Sequence, residues 1–411
     1  MISVREAQGV VEAALPGLVP ESVPIDECLN RILAENVKAP FAMPRFTNSA
    51  MDGFAVRAVD VEAATREKPV VLELVGVIRA GHEPEAPVSS GECAQVMTGS
   101  QLPHGADVVV PVEFTSGFDV KEVEIFRPFK ARENIRFEGE EIEVSRHLLD
   151  TGTRIGPAEL GVLVTFGYSK VHVYRRPRIA LYGTGDELCE PGRPLAPGQI
   201  YNSNLYVLSD LARRVGADVF HSGILRDDRK ALEKYFTEAL DTCDVLVSSG
   251  GVSMGRYDFI RPILLGLGVQ DRFWKVAQKP GKPLFFGTLR ETLVFGLPGN
   301  PVSSFVGFME YVWPTLEKMQ GLQPAPKVKA VLQAPFPRDA ERHRFLLGRV
   351  SLKSGILTAE PTTRLGSHML TSALGANCIL EAAPGEDVLN VGEEVVIRLL
   401  PWVGVRPMVT Q

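Results

Sequence analysis

Four short segments of the 411-residue chain combine acidic residues, glycine or proline at points where an apolar run ends. These segments are residues 183–188 (GTGDEL), 226–229 (RDDR), 250–258 (GGVSMGRYD) and 297–303 (LPGNPVS). In open α/β sheets, ligands bind outside the carboxyl ends of the parallel strands. We therefore expect these four loops to meet at one edge of a sheet and to form the functional site.

Three carboxylates of these loops, Glu187, Asp227 and Asp258, are candidate metal ligands. Carboxylates gathered at neighbouring strand ends repel one another, and a cation offsets that repulsion. Oxygen ligands suit Mg²⁺, which often bridges to substrate phosphates. Each residue also has a structural alternative. Asp227 or its neighbour Asp228 is a possible helix N-cap, Asp258 is another, and Glu187 is a possible first-turn acid.

The glycines of the third loop, Gly250, Gly251 and Gly255, indicate an anion site. Glycine lets backbone N–H groups approach a phosphate, and the start of a following helix adds partial positive charge. The loop continues with Arg256 and Tyr257 instead of Lys and Ser or Thr, so it is not a Walker A loop. The segment GTGDEL likewise lacks the third glycine of a dinucleotide fingerprint. A tight turn without a ligand is the alternative.

The segment 272–283 carries four cations, Arg272, Lys275, Lys279 and Lys282, in a chain whose formal net charge is −6. Two prolines and a glycine stiffen this segment, and a rigid basic loop is preorganised for an oxyanion. A solvated surface loop is the alternative that the residues leave open.

Composition excludes several classes of protein. The chain has 44 basic and 50 acidic residues and no basic domain, which argues against a nucleic-acid partner. Its five dispersed cysteines suggest neither a disulfide framework nor a zinc finger. Charges interrupt the N-terminal segment, and no apolar run is long enough to span a membrane. We therefore expect a cytoplasmic protein. The HExxH motif of common zinc hydrolases does not occur.

The elements that must position these loops fall into distinct regions of the chain. Over 177–325, apolar runs alternate with helical patterns, which predicts a mostly parallel sheet covered by helices. Residues 41–141 contain short β-rich runs broken by glycine and proline, typical of a small β domain. Short β runs return over 326–411 and predict a small barrel or sandwich. The segments 1–40 and 142–176 each contain a helical pattern.

An ordered series of motifs resembles the molybdopterin molybdenumtransferase family, known as MoeA and as the E domain of gephyrin. The motifs are NSAMDGFAVR, VMTGS, ENIRFEGEE, RRPRIALYGTGDEL, GQIYNSN, SSGGVSMGRYDF, KPGKPLFFG and GLPGNPVSSFV. They span most of the chain, and a weaker match follows at 366–368. Two positions depart from the family pattern. Glu141 stands where the family usually has Asp, and Arg132 stands where it commonly has Gly.

The resemblance implies a multidomain α/β and β fold. An elongated connecting domain would comprise residues 1–40 and 142–176, and a β-rich domain would be inserted at 41–141. A mostly parallel α/β domain like that of molybdopterin adenylyltransferases would occupy 177–325, and a C-terminal β barrel 326–411. It also implies a homodimer in which the inserted domain of one subunit completes the active cleft of the other.

The activity implied by the resemblance is transfer of molybdate-derived molybdenum into adenylylated molybdopterin, with release of AMP in a Mg²⁺-dependent step. The residues that match the family's catalytic positions are Glu187, Asp227 and Asp258, with Asp52 and Thr98 from the second subunit. Glu187, Asp227 and Asp258 would hold the Mg²⁺. The expected substrate-binding residues are Gly250, Gly251, Ser253, Lys275, Lys279, Pro298 and Pro301.

Two rival functions stay open at this point: a molybdopterin adenylyltransferase, and a noncatalytic scaffold or cofactor carrier. The implied partners are a molybdopterin adenylyltransferase and the enzymes that accept the finished cofactor, with neither nucleic acid nor membrane among them. The residues do not distinguish molybdate from tungstate, because both are tetrahedral dianions.

Overall fold

A computed structural model describes residues 1–251 and 259–402 of the chain. The expected site residues Ser253 and Asp258 lie outside the described residues. The chain divides into two compact units, one formed by Met1–Ala34 with Val171–Gln411 and the other by Glu35–Lys170. The four-domain partition expected from the sequence is finer than this division and stays a prediction.

The strands and helices are numbered in chain order. The strands are β1 (Pro20–Pro24), β2 (Val37–Lys38), β3 (Asn48–Ser49), β4 (Gly53–Val56), β5 (Val70–Ile78), β6 (Glu92–Val96), β7 (Val108–Pro111), β8 (Glu122–Ile125), β9 (Ile135–Arg136), β10 (His147–Leu149), β11 (Lys170–Tyr174), β12 (Arg178–Thr184), β13 (Leu188–Cys189), β14 (Ile200–Tyr201), β15 (Asp218–Leu225), β16 (Val245–Ser249), β17 (Gln270–Trp274), β18 (Gln278–Lys279), β19 (Phe285–Leu289), β20 (Thr292–Leu297), β21 (Val328–Leu332), β22 (His343–Lys353), β23 (Ile356–Pro361), β24 (Cys378–Ala382) and β25 (Glu394–Leu399). The α-helices are α1 (Val4–Ala13), α2 (Pro157–Thr165), α3 (Ser203–Arg214), α4 (Arg229–Thr242), α5 (Ile260–Gly266), α6 (Pro301–Gly307) and α7 (Trp313–Lys318). Across the described ranges, no helix combines the length and apolarity needed to cross a membrane.

The unit Glu35–Lys170 is built around a sheet with the strand order β7-β4-β6-β5-β8. Strand β4 is buried on both faces, with Phe54 and Val56 in one apolar core and Ala55 in another. The sheet is formed by the β-rich runs that the sequence predicts in this region. The helical pattern predicted within 142–176 forms helix α2, which Pro157 begins.

Arg132, which departs from the family's usual glycine, adopts a left-handed backbone with φ 77°. Glycine takes this conformation without the clash of a Cβ atom, which explains why it suits the position. Here the Arg132 N–H donates to the carbonyl of Asp107 at 2.7 Å. The guanidinium lies 4.4 Å from the ring centroid of Phe137. These two contacts support the arginine in a turn that favours glycine.

The larger unit contains a six-stranded sheet with the order β15-β12-β16-β20-β19-β17. Neighbours from β15 to β20 run parallel, whereas β19 is antiparallel to both β20 and β17. Alternate residues of β12 face opposite sides, because successive side chains of a strand point in opposite directions. Ile179 and Leu181 pack in the core shared with α3 and α6, and Ala180 and Tyr182 in the core shared with α4 and α5. The predicted mostly parallel α/β fold is confirmed.

The helices α3, α4 and α6 begin next to the carboxyl ends of the parallel strands. Asn202 caps α3 by accepting from the Leu205 N–H at 3.2 Å, and Asp228 caps α4 by accepting from the Ala231 N–H at 2.7 Å. Pro301 begins α6, a position that suits proline because its missing N–H has no partner there. A π-helical turn over Phe308–Val312 joins α6 to α7.

The C-terminal strands close into a five-stranded barrel in the order β22-β23-β21-β25-β24, with β24 pairing back to β22. Leu346, Val350, Leu380 and Ile397 are among the residues of its apolar interior. Of the two architectures expected from the residues, the barrel is therefore the one formed. Strand β18 pairs with β22, so that Gln278 lies beside His343 and Lys279 beside Arg344.

Candidate active site

A cleft of about 640 Å³ lies at the carboxyl edge of the parallel strands. All four loops expected to form the site contribute residues to it. The loop after β12 contributes Glu187, that after β15 Asp227, that after β16 Gly250, and that after β20 Pro298 and Pro301. Because all the parallel strands end at this edge, their loops bring together polar groups as far apart in the sequence as Glu187 and Asn300.

Residues that the sequence analysis did not assign to the site also line the cleft. They come from β14 and the first turn of α3, from Pro283 and, in the C-terminal region, from His368. Asn204 donates from Nδ2 to Ser249 Oγ at 2.9 Å and to the Gly299 carbonyl at 2.8 Å. It therefore ties the start of α3 to the loops that follow β16 and β20. The signal for this region was the NSN segment directly before a helical pattern, a typical helix start.

Gly250 is required by the close approach of two strand ends. Its φ is 105°, and a Cβ atom there would lie 2.5 Å from the carbonyl oxygen of Thr184. Its N–H donates to the Leu297 carbonyl at 3.0 Å, so this N–H is already bonded within the protein. What this glycine contributes to the cleft is therefore close packing of its floor, and its role in substrate binding stays a prediction.

The structure separates some functional and structural alternatives for the acidic residues. Asp228 is the N-cap of α4, so capping does not account for Asp227, which lines the cleft. Glu187 precedes strand β13, so it is not a first-turn helix acid. Within residues 1–251 and 259–402, no group of three or more His, Cys, Asp or Glu side chains forms a metal site. The third expected ligand, Asp258, lies outside those residues.

The basic segment approaches the cleft through Pro283, whereas its lysines make other contacts. Lys275 Nζ lies 4.0 Å from the ring centroid of Trp274. Lys279 Nζ donates to Asp339 Oδ2 at 3.2 Å. The segment is thus anchored to the barrel, and the alternative of a simple solvated loop does not describe Lys279.

Asp339 binds two cationic side chains where β18 meets the barrel, Lys279 of β18 and Arg342, which precedes β22. Arg342 donates to it through its side chain at 2.9 Å, and Lys279 bonds the same carboxylate. The hydrogen bond from Arg342 is the main cause that holds the pKa of Asp339 well below its usual range, although burial opposes it. The carboxylate is consequently ionised throughout the neutral range.

Arg344, which the strand pairing places beside Lys279, is a buried arginine whose charge Asp339 partly offsets. It is 5% exposed, and its Nε has no hydrogen-bond partner in the part of the chain that the structure describes. Burial lowers the pKa of Arg344. Buried polar groups are normally hydrogen-bonded, so a guanidinium with an unbonded Nε beside Lys279 and Arg342 is suited to an oxyanion. The segment HRFLLGRV gave no sign of this, because it has the composition of an ordinary strand.

Asp52 and Thr98 belong to the unit Glu35–Lys170 and contact each other. Both the backbone N–H and the hydroxyl of Thr98 donate to Asp52 Oδ1, at 2.7 and 2.9 Å. These two bonds, the backbone one foremost, lower the pKa of the Asp52 carboxyl. The structure thus brings together two expected catalytic residues that the sequence separates by 46 positions.

The fold and the cleft define a class of multidomain α/β proteins that carry a polar site at the carboxyl edge of the sheet and a separate β barrel. Three family models match successive parts of the chain. They are the MoeA N-terminal region (domains I and II) at 2–167, the probable molybdopterin binding domain at 180–318, and the MoeA C-terminal region (domain IV) at 329–400. The chain belongs to the molybdopterin molybdenumtransferase (MoeA) family, which confirms the resemblance.

Curated relatives support this membership over nearly the full chain. A molybdopterin molybdenumtransferase of Nostoc sp. is 34% identical, with 98% of this chain and 94% of the relative covered. One from Bacillus subtilis is 36% identical, with 92% and 90% covered. The solved MoeA protein from Pyrococcus horikosii has a TM-score of 0.84 and 33% identity, and the match covers 97% of this chain and 99% of that one.

Proposed function

We propose that this protein is a molybdenum insertase of molybdenum cofactor biosynthesis. It would transfer molybdenum from molybdate into the dithiolene of adenylylated molybdopterin and release AMP. The observation that carries the proposal is the cleft itself, in which carboxylates, hydroxyls and amides from four strand-end loops converge in a chain related to molybdenumtransferases along its length.

The basic residues around Asp339 supply a second part of the reasoning. Molybdate is a tetrahedral dianion, and guanidinium and ammonium groups are its natural hydrogen-bond donors. Arg344 has the unsatisfied donor, and Lys279 and Arg342 are held beside it by one shared carboxylate. The turn formed by residues 279–283 (the KPGKP turn) connects this group to the cleft, because it carries both Lys279 and Pro283.

The described residues fit a Mg²⁺ ion whose coordination shell is completed by oxygen atoms of the substrate. Mg²⁺ is commonly bound through one or two carboxylates together with substrate phosphates. Glu187 and Asp227 line the same cleft and would be those carboxylates, with Asp258 as the third expected from the sequence. When bound, the ion would neutralise charge on the phosphates of the leaving nucleotide.

A homodimer completes the proposal. The bonds from Thr98 lower the pKa of Asp52 further below neutral pH, and the family pattern assigns both residues to the cleft of the second subunit. We expect the protein to act in the cytoplasm, to receive its substrate from a molybdopterin adenylyltransferase and to deliver product to molybdenum enzymes.

An AMP-release assay tests the proposed activity. Purified protein is supplied with adenylylated molybdopterin, Mg²⁺ and molybdate, and in a parallel reaction with tungstate. AMP release above the protein-free control is expected. Consumption of ATP with unmodified molybdopterin would instead indicate an adenylyltransferase, and substrate binding without turnover would indicate a scaffold.

Mixing two inactive variants tests the shared cleft. Asp52→Ala and Asp227→Ala should each be inactive, the second through loss of the Mg²⁺-dependent step. If the residues act across the dimer, heterodimers regain one intact cleft, and randomly exchanged subunits recover roughly a quarter of wild-type activity. No recovery after verified subunit exchange would show that the cleft lies within one subunit.

A further inference from the structure

Gln278 is a fully buried polar residue beneath the KPGKP turn. Its side chain is 0% exposed, and Nε2 donates to the carbonyls of Pro280 and Gly281, both at 3.2 Å. The two carbonyls belong to consecutive residues of the turn, so one amide group fixes the path of the backbone between Lys279 and Lys282.

Tyr311 fixes the orientation of that amide. Its hydroxyl donates to Gln278 Oε1 at 2.6 Å, and the ring is 1% exposed. Since both turn carbonyls accept from Nε2, the phenol leaves the amide one arrangement that satisfies every contact. Tyr311 lies in the π-helical turn Phe308–Val312, whose residues are all buried.

The turn fits closely around the amide. Gly281 has φ 89°, and a Cβ atom there would lie 2.9 Å from Gln278 Nε2. At the base of the turn, the N–H groups of Lys275 and Val276 donate to the carbonyls of Leu284 and Lys282, both at 3.0 Å. A rigid support therefore extends from the π-helical turn to the residues that carry the positive charges.

We propose that Gln278, oriented by Tyr311, is a positioning residue. It sets the geometry of the KPGKP turn and thereby the affinity of the site for its oxyanion substrate. This inference rests on the proposed function. Gln278 does not contact the reacting atoms. Its effect is to hold the lysines and Pro283 where they meet the substrate, and a small displacement of such groups lowers the affinity for the substrate.

The test compares Gln278→Met with Gln320→Met. Gln320 is a matched control, because it is also buried and its Nε2 also donates to two backbone carbonyls, those of Val215 and Leu316, at 3.0 and 2.8 Å. Both variants lose two bonds from Nε2 to backbone carbonyls, and Gln278→Met also loses the bond from the Tyr311 hydroxyl. Only Gln278 lies under the basic turn. The measurements are KM for molybdate, kcat, and hydrogen exchange at the Lys275 and Val276 amides.

We expect Gln278→Met to raise KM for molybdate on the order of tenfold to a hundredfold with kcat nearly unchanged, and to speed exchange at both amides. Gln320→Met should keep the wild-type KM. An unchanged KM in Gln278→Met, or an equal increase in Gln320→Met, would overturn the inference. Should Gln278→Met not fold, Tyr311→Phe replaces it, with a smaller increase of roughly threefold expected and an unchanged KM counting against the proposal.

Failure of the proposed function gives a different result. If the wild-type protein releases no AMP, the same variants are compared by calorimetric titration with molybdate alone. Weaker binding in Gln278→Met than in Gln320→Met would then support the positioning role while the insertase activity is rejected. Equal binding by both variants, or no binding by the wild type, would reject the positioning role.

Discussion

Arg344, which is buried, and Arg398, which is 13% exposed, are two arginines of the barrel strands with different surroundings. Arg398 forms two bonds with the buried carboxylate of Glu310, the shorter of 2.8 Å, whereas Arg344 Nε has no partner in the described residues. A buried charge without a counter-charge destabilises a folded protein, and one that is paired becomes costly when its partner is removed. The two arginines should therefore respond oppositely to the same substitution.

Arg344→Met should stabilise the ligand-free protein by about 1–3 kcal/mol, because it removes a buried guanidinium whose Nε makes no hydrogen bond in the described residues. The same change should abolish the stabilisation by molybdate that we expect in the wild type. Arg398→Met is the control and should destabilise by about 3–5 kcal/mol, since Glu310 loses its main partner. Urea unfolding with and without molybdate measures both. Destabilisation by Arg344→Met would contradict the assignment of an oxyanion site.

Asp339 predicts how stability depends on acid. Its pKa is lowered in the folded protein, so its contribution is complete above the unfolded value near pH 3.9 and is lost as the pH falls below it. Asp339→Asn should therefore unfold more easily at pH 6 and show a flatter loss of stability between about pH 4 and pH 2. Asp210→Asn, at an exposed pair with Arg214, should change the profile little. Parallel acid profiles for wild type and Asp339→Asn would refute this.

Some of the candidate site was predictable from single residues, and some was not. Glu187, Asp227 and Pro298 were found because strand ends converge at one edge of a parallel sheet. The choice between Asp227 and Asp228 required the structure, since both precede the same helix and either can cap it. Arg344 and Gln278 were missed because their role depends on burial and on missing or shared partners, which adjacent residues in the sequence do not encode.

Among the elements, the ends of β12 and β16 pack so closely that the residue after β16, Gly250, must be glycine. Gly250→Ala places a Cβ atom against the Thr184 carbonyl at a left-handed φ and should destabilise by more than about 1 kcal/mol. Gly9→Ala is the control, because no atom lies within 4 Å of a Cβ atom in that turn of α1. It should stabilise by up to about 1 kcal/mol. Equal effects of the two changes in thermal unfolding would contradict the close packing.

Element types were largely predictable because the hydrophobic pattern reports which faces are buried. The alternation over 177–325 predicted the parallel strands and the helices that follow them, and Pro157 marked the start of α2. The antiparallel strands β17 and β19 were not expected. The hydrophobic pattern alone did not distinguish a barrel from a sandwich, because the difference depends on β24 pairing back to β22, whereas the family resemblance implied the barrel. The short strand β18 was also not expected, since two residues carry no periodic pattern.

At the scale of the larger unit, Glu310 joins three regions of the chain. Its buried carboxylate accepts from Gln8 of α1 at 3.3 Å, from Lys327 at 3.1 Å and from Arg398 of β25 at 2.8 Å. The N-terminal helix, the π-helical turn and the barrel therefore share one charged group. This junction also lies next to Tyr311, which supports the KPGKP turn through Gln278.

Glu310→Gln should destabilise the protein by about 3–5 kcal/mol, because it leaves buried cations without their counter-charge. Glu12→Gln is the control. Glu12 of α1 pairs with Lys318 of α7 but is largely exposed, so its loss should cost less than about 1 kcal/mol. Urea unfolding followed by intrinsic fluorescence measures both. Similar small effects of the two variants would show that the junction does not hold these regions together.

The central claim concerns transfer of molybdenum, and the most direct measurement counts it. Wild-type protein is incubated with adenylylated molybdopterin, Mg²⁺ and molybdate, and the molybdenum bound to the released pterin is determined together with AMP. We predict one molybdenum atom inserted per AMP released, and no AMP when molybdate is omitted. AMP release that is independent of molybdate, or pterin that carries no molybdenum, would contradict the proposal.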